Sequence, residues 1–438
     1  MPPSPTAQSV SLEADLEADV IVVGAGPAGT AAAITAVDAG LTVIVIDKAR
    51  FPRDKCCGDG LTTLALRQLD ELGLEPSTVP SWFDVETVWL RSPSGREVEL
   101  PLPSEGRFSA VAPRRELDDA LVRLARARGV TVLENHSFTD IAHSPDAHSD
   151  AGRVTVHATH TLDGATSPVT IVAKWVVAAD GMWSPVRKAL GVGHEGYLGE
   201  WHAFRQYADN VTGVAKDRLI VWFEEDLLPG YAWSFPVRGG ERSSDGAGRV
   251  NIGFGVMRDE SRRGRDMKAL WADFLSRPHI VEALGPGFRP DDRHTAWPIP
   301  ARIDDAVTGS GRVLFTGDAV MATDLLTGEG IGQALLTGAE AARAIVSGVN
   351  ESRSATEVRR TYAESVRRHL LADHRMSVRL SKILAHSRGA RGAIALVAKS
   401  GSWGRRNFAR WMFEDEPRAI IVTPRRWHRR LFRQRGAY

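Results

Sequence analysis

The chain begins with two short runs of β-branched residues on either side of an alanine-rich segment. Residues 19–24 and 42–47 each contain four consecutive apolar positions, which is typical of strands buried on both faces of a parallel sheet. Between them, residues 27–40 open with proline, continue with alanine and end at glycine, as helices commonly do. This pattern predicts a strand–helix–strand unit near the start of the chain.

Further along the chain, segments in which apolar and polar residues alternate, as in strands, are followed by segments in which apolar residues recur at helical spacing. Residues 85–102 and 153–172 alternate between apolar and polar positions, and Asp163-Gly164 predicts a hairpin turn within the second segment. Shorter apolar runs predict buried strands over 130–134, 174–179 and 312–316. The predicted helices are 61–72, 115–128, 328–348 and most of the chain after residue 357.

The composition changes between residues 195 and 300, where Trp, Phe and strand-like runs become frequent. A β-rich block between nucleotide-binding segments is typical of an inserted substrate domain. We therefore predict an α/β fold with a Rossmann-type dinucleotide-binding domain, an inserted β-sheet-rich substrate domain and a helical, basic C-terminal region. The predicted boundaries are 17–84, 105–194 and 301–350 for the first domain, 85–104 and 195–300 for the second, and 351–438 for the C-terminal region, after a disordered segment over 1–16.

Length and composition are those of a globular protein with about two domains. The 438 residues exceed one ordinary domain of about 100–200 residues. The two cysteines are adjacent, so no disulfide framework is expected, and a reducing, cytoplasmic setting is the simplest interpretation. Residues 20–37 are uncharged over a length sufficient for a membrane span, but Gly24, Pro27 and Gly29 divide them into strand, turn and helix. We therefore expect neither a signal peptide nor a span there.

A glycine-rich turn joins the first predicted strand to the first predicted helix. The motif Gly24-x-Gly26-x-x-Gly29 allows a tight turn, close approach of a pyrophosphate to the backbone, and packing of the helix on the strand. Asp47 ends the next strand, where its carboxylate can accept hydrogen bonds from a ribose. Cofactor contacts are accordingly predicted at Gly24, Gly26, Pro27, Ala28, Gly29, Asp47 and Lys48.

Two later motifs favour FAD as the dinucleotide. Asp180-Gly181 and Gly317-Asp318 each follow a predicted buried strand, where the Asp can hold ribose or ribityl hydroxyl groups. A helix beginning within residues 328–330 would direct its positive end at the anionic N1 region of reduced flavin. Each motif alone has an ordinary alternative as a turn or a helix cap. The predicted contacts are Asp180, Gly181, Gly317, Asp318, Gly328, Gly330 and Ile331.

These motifs stand in the order found in FAD proteins that resemble para-hydroxybenzoate hydroxylase. That resemblance implies that Arg114, at the start of a predicted helix, contacts the flavin. More narrowly, the chain resembles the geranylgeranyl reductase family over about residues 18–345, which also implies a cofactor contact at Gly58. The matching segments are Lys55-Cys56-Cys57-Gly58, Tyr231-Ala-Trp233-Ser-Phe235-Pro236 and Thr327-Gly328-Glu329-Gly330-Ile331.

The resemblance implies that the protein saturates C=C bonds in a prenyl chain of a lipid, quinone or pigment. This reaction needs a hydride, which reduced flavin supplies, and a proton from a group that is neutral at physiological pH. Cys57 and Tyr231 are the candidate donors, because a thiol and a phenol stay protonated there. The predicted catalytic residues are Cys57, Tyr231 and Trp233, and the alternative for Cys57 is a small buried core residue.

Three aromatic residues share one face of a predicted strand. Tyr231, Trp233 and Phe235 alternate with smaller residues, and such a face could line a tunnel for a long apolar chain. Trp222 and Phe254, on flanking strands, are predicted to extend this wall. The alternative is an ordinary sheet core.

The source of electrons and the type of flavin chemistry stay open. The sequence contains no second glycine-rich βαβ unit, so electrons are expected from transient NAD(P)H contact or from a protein donor, and no metal-ligand cluster is evident. Asp324-Leu325 stand where the resembled family has Asn-Pro, and the missing proline is expected to free this loop. An FAD-dependent monooxygenase or epoxidase is therefore the alternative function, and a non-catalytic flavin-binding lipid carrier is a second one.

The C-terminal region is strongly basic. Residues 379–438 contain 15 Lys/Arg and three Asp/Glu, although the net charge of the chain is +1. Within 424–438, six Arg surround Trp427, Leu431 and Phe432, which suits an anionic membrane surface, with a solvated or subunit-packing tail as the alternative. We expect a cytoplasmic protein that binds the inner membrane surface peripherally and has no nucleic-acid partner. The oligomeric state is left open.

Overall fold

The computed structural model describes residues 15–143, 152–193, 196–238, 246–258 and 267–422. Most of the segment predicted as disordered and all of the Arg-rich segment 424–438 lie outside these residues. The described strands are, in chain order, β1 (Leu16–Val23), β2 (Val43–Ile46), β3 (Gly60–Thr62), β4 (Phe83–Asp84), β5 (Thr87–Arg91), β6 (Glu97–Pro101), β7 (Ser109–Val111), β8 (Thr131–Leu133), β9 (His136–His143), β10 (Val154–Leu162), β11 (Ala165–Ala178), β12 (Trp201–Val211), β13 (Leu219–Trp222), β14 (Tyr231–Val237), β15 (Gly248–Met257), β16 (Arg289–Pro290), β17 (Thr295–Ile299), β18 (Gly309–Ser310) and β19 (Val313–Phe315). The described α-helices are α1 (Pro27–Asp38), α2 (Thr63–Glu71), α3 (Arg114–Ala127), α4 (Pro185–Ala189), α5 (Met267–Ser276), α6 (Pro278–Leu284), α7 (Ile331–Asn350), α8 (Ala355–Val366), α9 (Ala372–Leu384), α10 (Ser387–Lys399) and α11 (Gly401–Met412).

The first sheet contains the strand–helix–strand unit predicted at the start of the chain. β1 pairs in parallel with β2 on one side and with β11 on the other, and the sheet order is β18-β19-β11-β1-β2-β8. Val20, Ile21 and Val22 are fully buried, because α1 and α7 pack over this part of the sheet. The predicted α/β class with a Rossmann-type domain is confirmed.

One strand of this sheet differs from its prediction. The hairpin at Asp163-Gly164 is present, with β10 and β11 paired antiparallel. However, β11 continues without a break through Ala178, so the segment 174–179 is the buried end of the same strand. The first part of β11 is exposed and its end is buried between β1 and β19, and this change of polarity makes one strand resemble two.

The second sheet has the order β16-β12-β15-β14-β13-β5-β6, with β17 paired to β12. β5 and β6 come from the early segment around residues 85–104, and β5 pairs in parallel with β13. One face of this sheet is covered by α5, through Trp271 and Phe274, and by α6, through Ile280 and Leu284. A third, small sheet has the order β3-β7-β4.

The helices after α7 belong to the folded body. α8 packs against α7, and Ile394 and Val397 of α10 join the core formed with β5, β6 and β13. Ala409 of α11 is fully buried in the same core. α10 and α11 therefore cover part of the second sheet, on the side opposite α5 and α6.

Candidate active site

A cavity of about 990 Å³ extends from the carboxyl ends of β1 and β2 to the C-terminal helices. Its walls come from the glycine-rich turn, the aromatic face of β14, the loop 324–330 and helices α9–α11. Apart from Gly29, Trp222 and Phe254, every site residue predicted from the sequence lines this cavity. The predicted cofactor and substrate residues thus line one cavity.

The three glycines of the first motif have different roles. A Cβ on Gly29 would lie 1.8 Å from the Gly24 carbonyl oxygen, and one on Gly24 would lie 2.4 Å from that of Ala179. These two glycines therefore let α1, β1 and β11 pack closely. At Gly26 the nearest atom to a Cβ would be Nη2 of Arg53, at 3.8 Å. The backbone of Gly26 is accessible at the N-terminus of α1, as a pyrophosphate site requires.

Asp47 connects the end of β2 to the glycine-rich turn. Its Oδ2 accepts the N–H of Ala25 at 2.7 Å, and its Oδ1 accepts the N–H of Ala49 at 2.8 Å. Asp47 and the neighbouring Lys48 both line the cavity. A carboxylate has lone pairs beyond these two bonds, so Asp47 can hold the turn and still accept a ribose hydroxyl.

Asp180, at the end of β11, has one buried carboxylate oxygen that lacks a hydrogen-bond partner. The N–H of Val186 donates to Oδ2 at 3.0 Å, whereas Oδ1 is buried without a partner. Burial raises the pKa of Asp180 to about 6, against the effect of the Val186 N–H. An unpartnered buried oxygen beside the open Gly181 fits the hydroxyl groups of a bound nucleotide.

Lys55 forms the cationic part of the cavity wall. Its Nζ lies 3.4 Å from the centre of the Trp297 ring, a close cation–π contact. Burial lowers the pKa of Lys55 to about 8, although the charge of Asp318 acts in the opposite direction. Because the charge of Asp318 acts on Lys55, the Gly317-Asp318 motif and the segment Lys55-Cys56-Cys57-Gly58 lie close together in the cavity wall.

Arg114 begins α3 and is tied to the same helix. Its Nε and Nη2 donate to the two carboxylate oxygens of Asp118, at 2.7 and 2.8 Å. The guanidinium also lies beside the Cys57 thiol, and it opposes the effect of burial on the pKa of that thiol. Arg114 is thus held rigidly with one side towards Cys57 and the cavity.

The two adjacent cysteines have different surroundings. The sulfur of Cys57 accepts the N–H of Asp59 at 3.4 Å, and burial raises the pKa of this thiol to about 12. The Cys56 thiol donates to the Thr295 carbonyl oxygen at 3.8 Å. Gly58 lies against Trp233, whose ring would be 3.3 Å from a Cβ at that position.

A buried hydrogen-bond network behind Cys57 was missed by the sequence analysis. Oδ2 of Asp59 accepts the Tyr207 hydroxyl at 2.6 Å and Nδ2 of Asn251 at 2.7 Å. Asn251 also donates to the Cys57 carbonyl oxygen at 2.8 Å and accepts Nε1 of Trp233 at 3.1 Å. The network fixes Cys57 relative to Trp233. The sequence feature that could have indicated this network is Asp59 between Gly58 and Gly60, and the backbone of Asp59 has a φ of +66°.

The aromatic face of β14 forms one wall of the cavity, as predicted for Tyr231, Trp233 and Phe235. The prediction for Trp222 and Phe254 is wrong: both are buried on the opposite face of the sheet, against Phe274. Strand register is the reason. Trp222 and Phe254 each pair with Ala232, whose side chain points away from Tyr231 and Trp233. The wall is completed by Leu219 and Val221 of β13 and by Trp201 of β12.

The loop 324–330 is firmly held, although the missing proline predicted a freer loop. The Asp324 carboxylate accepts the backbone N–H of Thr327 at 2.8 Å and the Ser377 hydroxyl at 2.7 Å. The Leu325 carbonyl oxygen accepts Nε1 of Trp201 at 2.9 Å, and the Tyr231 hydroxyl donates to the Thr327 carbonyl. These bonds from three other elements replace the stiffness that a proline would give.

The N-terminus of α7 also differs from its prediction. The helix begins at Ile331, after Gly328 and Gly330, and all three residues line the cavity. Oε1 of Glu329 accepts the N–H groups of Ile331 and Gly332, at 3.0 and 3.3 Å. The first backbone N–H groups of α7, which have no partner within the helix, therefore donate to the side chain of Glu329 in the preceding loop.

The segment after α11 supplies residues that the sequence analysis did not connect with the site. Glu414 accepts the Thr62 hydroxyl and Nε2 of Gln333, both at 2.9 Å. Arg418 is fully buried, and its Nη2 lies 3.2 Å from Asp324 and 3.3 Å from Glu414. Arg418, Trp411, Met412 and Phe413 line the cavity.

The buried carboxyl groups of Glu329 and Glu414 are expected to make the stability of the fold depend on pH. Burial raises the pKa of Glu329 to about 8 and that of Glu414 to about 7, from an ordinary value of 4.5. Between these limits the folded chain binds more protons than the unfolded chain, so the free energy of unfolding should fall as pH rises from about 4.5 to about 8. Glu414→Gln should flatten this slope by an amount on the order of 2 kcal/mol, measured by urea denaturation at pH 5 and pH 8.

Glu340→Gln is the matched control, because the pKa of Glu340 is lowered: its bonds to Ser365 and Arg343 outweigh burial. The stability contribution of Glu340 is complete above pH 4.5, so its loss should be equal at pH 5 and pH 8. A Glu414→Gln variant that keeps the wild-type slope would contradict the assignment.

Comparisons with known proteins identify the family of the chain. The family model described as an FAD binding domain matches residues 17–372. Menaquinone reductase of Mycolicibacterium smegmatis is 33% identical over 359 residues, which cover 76% of this chain and 77% of that protein. Digeranylgeranylglycerophospholipid reductase 1 of Methanopyrus kandleri is 30% identical over 353 residues, covering 80% and 86%.

A solved structure shows the same fold. The geranylgeranyl bacteriochlorophyll reductase-like protein of Thermoplasma acidophilum matches with a TM-score of 0.74 at 20% identity, over 94% of this chain and 100% of that one. In the described part of the chain, no helix is both long and apolar enough to cross a membrane. The extent of the family match and of the two sequence matches shows that the chain belongs to the FAD-binding domain family, as a geranylgeranyl-reductase-like FAD-dependent oxidoreductase.

Proposed function

We propose that the protein is a reductase that saturates C=C bonds in a prenyl chain of a lipid, quinone or pigment. One observation carries this proposal: the half-buried Cys57 thiol, an aromatic wall and the nucleotide motifs all line one cavity, which continues between the apolar side chains of helices α9–α11. The names of the two relatives, a menaquinone reductase and a digeranylgeranylglycerophospholipid reductase, support the same substrate class.

The residues present fit FAD. The backbone at Gly26 and the helix N-terminus behind it would hold the pyrophosphate, and Asp47 would hold the ribose. Asp180, with its unpartnered oxygen, and Asp318 would hold hydroxyl groups nearer the flavin ring. When bound and reduced, FAD supplies the hydride for the double bond. We expect its electrons from transient NAD(P)H contact or from a protein donor.

Cys57 is the proposed proton donor. Its thiol lines the cavity, and burial raises its pKa to about 12, so it carries its proton at every physiological pH. When Sγ has given up that proton, the thiolate lies beside the Arg114 guanidinium, which stabilises the negative charge. The cation thus favours the charge that develops during proton transfer.

Tyr231 is the second candidate donor. Burial, with the charges of Glu329 and Asp324, raises the pKa of its phenol. Its hydroxyl proton is directed at the Thr327 carbonyl oxygen, so donation to a substrate would require breaking that bond. We therefore assign Tyr231 to holding the loop 324–330 and, with Trp233 and Phe235, to contacting the prenyl chain.

The alternative of an FAD-dependent monooxygenase or epoxidase rested on a freer loop at Leu325. That loop is held by Trp201, Ser377 and Tyr231. Substrate-dependent oxygen uptake with NADPH would favour the oxygenase, whereas a product that has gained two hydrogens per double bond requires the reductase.

The test uses the full-length protein. Lipids extracted after purification are analysed by mass spectrometry, and the same lipid class is then incubated anaerobically with dithionite-reduced protein. A co-purified polyprenyl lipid and a product heavier by two hydrogens are expected. Protein that holds FAD but leaves every prenyl substrate unchanged would contradict the proposal, as the non-catalytic carrier predicts.

Asp47→Ala is expected to weaken FAD binding without unfolding the chain. The substitution removes the ribose acceptor and the two bonds that hold the glycine-rich turn, while the core strands stay packed. Flavin fluorescence during dilution should show at least about a ten-fold rise in the dissociation constant, equivalent to about 1.4 kcal/mol. Asp38→Ala, which loses an exposed ion pair to Arg128, is the control and should bind FAD normally.

A further inference from the structure

Helices α9–α11 carry exposed apolar side chains on their outer sides. Ile383 of α9 is 57% exposed, Leu396 of α10 is 72% exposed, and Trp403 of α11 is 59% exposed. α9 packs against α10, and α10 packs against α11, so the three side chains belong to one continuous helical layer. Large apolar side chains grouped on one surface commonly mark a site of association.

The same layer is basic and contains no acidic residue. Residues 374–413 include nine Lys/Arg and no Asp or Glu. On α10 the exposed residues Arg388, Gly392, Leu396 and Lys399 recur at helical spacing and therefore lie along one side. Exposed cations also stand beside the other two apolar residues, with Lys382 next to Ile383 and Arg406 one turn after Trp403. Basic flanks around apolar side chains are typical of helices that lie in a lipid interface.

The inner sides of these helices line the active-site cavity. Leu380 and Leu384 of α9, Ile394 of α10 and Phe408 of α11 all belong to its wall. Ile383 lines the cavity and is also largely exposed, so the cavity reaches the surface beside it. The helical layer that carries the basic and apolar surface side chains therefore also contains an opening of the cavity, beside Ile383.

We propose that the outer surface of α9–α11 docks onto an anionic lipid bilayer and places the opening beside Ile383 at the level of the acyl chains. This inference rests on the proposed function, because a prenyl chain dissolved in a bilayer needs a direct route into the cavity. Trp403 and Leu396 enter the interface, and the Lys and Arg side chains contact lipid phosphates. The docking surface is distinct from the Arg-rich segment 424–438, which lies outside the described residues.

Charge argues against the two other obvious occupants of this surface. A symmetric contact with a second copy would place the exposed Lys and Arg side chains of this layer opposite the same cations of the other copy. The chain's own segment 424–438 carries six Arg and no acidic residue, so it would also be repelled. An anionic bilayer satisfies both the charge and the apolar side chains.

The test compares full-length proteins by sedimentation with phosphatidylglycerol vesicles and with phosphatidylcholine vesicles at low salt. Wild-type protein should bind the anionic vesicles, and Leu396→Glu/Trp403→Glu should lower the partition coefficient at least ten-fold. Leu162→Glu is the matched control, because Leu162 is 56% exposed on the β10–β11 hairpin, and it should bind like wild type. Arg388→Gln/Lys399→Gln should reduce binding to the anionic vesicles and leave their apolar neighbours intact.

Vesicle binding is measured without substrate, so its failure is distinct from failure of the proposed reaction. Reduction of a short, soluble prenol should be equal in wild type and in Leu396→Glu/Trp403→Glu, whereas reduction of a prenyl lipid in vesicles should fall with binding. Wild-type protein that ignores anionic vesicles would overturn the proposal. Surface variants that bind like wild type would overturn it in favour of another surface, such as segment 424–438. Variants that change only self-association, measured by analytical ultracentrifugation, would overturn it in favour of a second copy.

Discussion

Cys57→Ala is expected to leave FAD bound and to slow reduction of the prenyl double bond by at least about ten-fold, within the range typical of a lost general acid. The thiol faces the cavity beside Arg114, and its pKa is raised to about 12 by burial. It is therefore fully protonated before the reaction, and alanine can neither give a proton nor place a thiolate beside the guanidinium. The measurement is anaerobic single-turnover oxidation of reduced enzyme by substrate, followed at the flavin absorbance.

Cys56→Ala is the control for Cys57→Ala. The neighbouring thiol donates to the Thr295 carbonyl oxygen on β17, so its removal should change the rate much less. Equal, mild effects of the two substitutions would show that Cys57 is a packing residue. The wild-type rate should also show no loss attributable to thiol ionisation below about pH 11, because the raised pKa keeps the proton in place.

Tyr231→Phe separates the two candidate donors. Phenylalanine keeps the aromatic wall but loses the bond to the Thr327 carbonyl oxygen. If Tyr231 holds the loop, the variant should lose some affinity for FAD and retain turnover when FAD is in excess. Complete loss of turnover with FAD still bound would transfer the donor role from Cys57 to Tyr231.

The nucleotide-binding half of the site could be predicted because its chemistry depends on local sequence. Gly24 and Gly29 are required by close packing within a single strand–turn–helix unit, and Asp47 stands at the end of the next strand. The shared face of Tyr231 and Trp233 likewise follows from the period of one strand. Such features need no knowledge of which distant segments come together.

The missed features depend on pairings between distant segments. The face on which Trp222 and Phe254 lie is set by their register with Ala232, which a pattern along one strand does not contain. Asp324 and Arg418 are far apart in the sequence, and Arg418 directly follows Glu414-Asp415-Glu416-Pro417, so nothing local indicates that it pairs with an Asp of the distant loop 324–330. The firm hold on the loop at Leu325 was missed for the same reason, because the hydrogen bond to the Leu325 carbonyl oxygen comes from Trp201 on the distant strand β12.

Arg418→Met should lower the free energy of unfolding by about 3–5 kcal/mol, the usual cost of leaving a buried charge without its partner. Burial alone would raise the pKa of Asp324, but Arg418, with Thr327 and Ser377, outweighs it and lowers that pKa. Without the cation, the Asp324 carboxylate is left as a buried charge with no compensating partner, because Glu414, whose pKa is already raised by burial, cannot supply one. Methionine fills a similar volume, so the loss should come from charge rather than from a cavity.

Arg343→Met is the matched control, since Arg343 is half-exposed and its pairs with Glu340 and Glu71 should be worth about 1 kcal/mol or less. Adding Asp324→Asn to Arg418→Met should recover part of the loss, because asparagine removes the unpaired charge and can still accept the Thr327 N–H. Urea denaturation of wild type, Arg418→Met, Asp324→Asn and the double variant measures this coupling, and Arg343→Met is measured alongside them. If Arg418→Met costs no more than Arg343→Met, Arg418 does not hold the loop 324–330. The cavity wall at the end of α11 must then be stabilised by the apolar contacts of Trp411, Met412 and Phe413 instead.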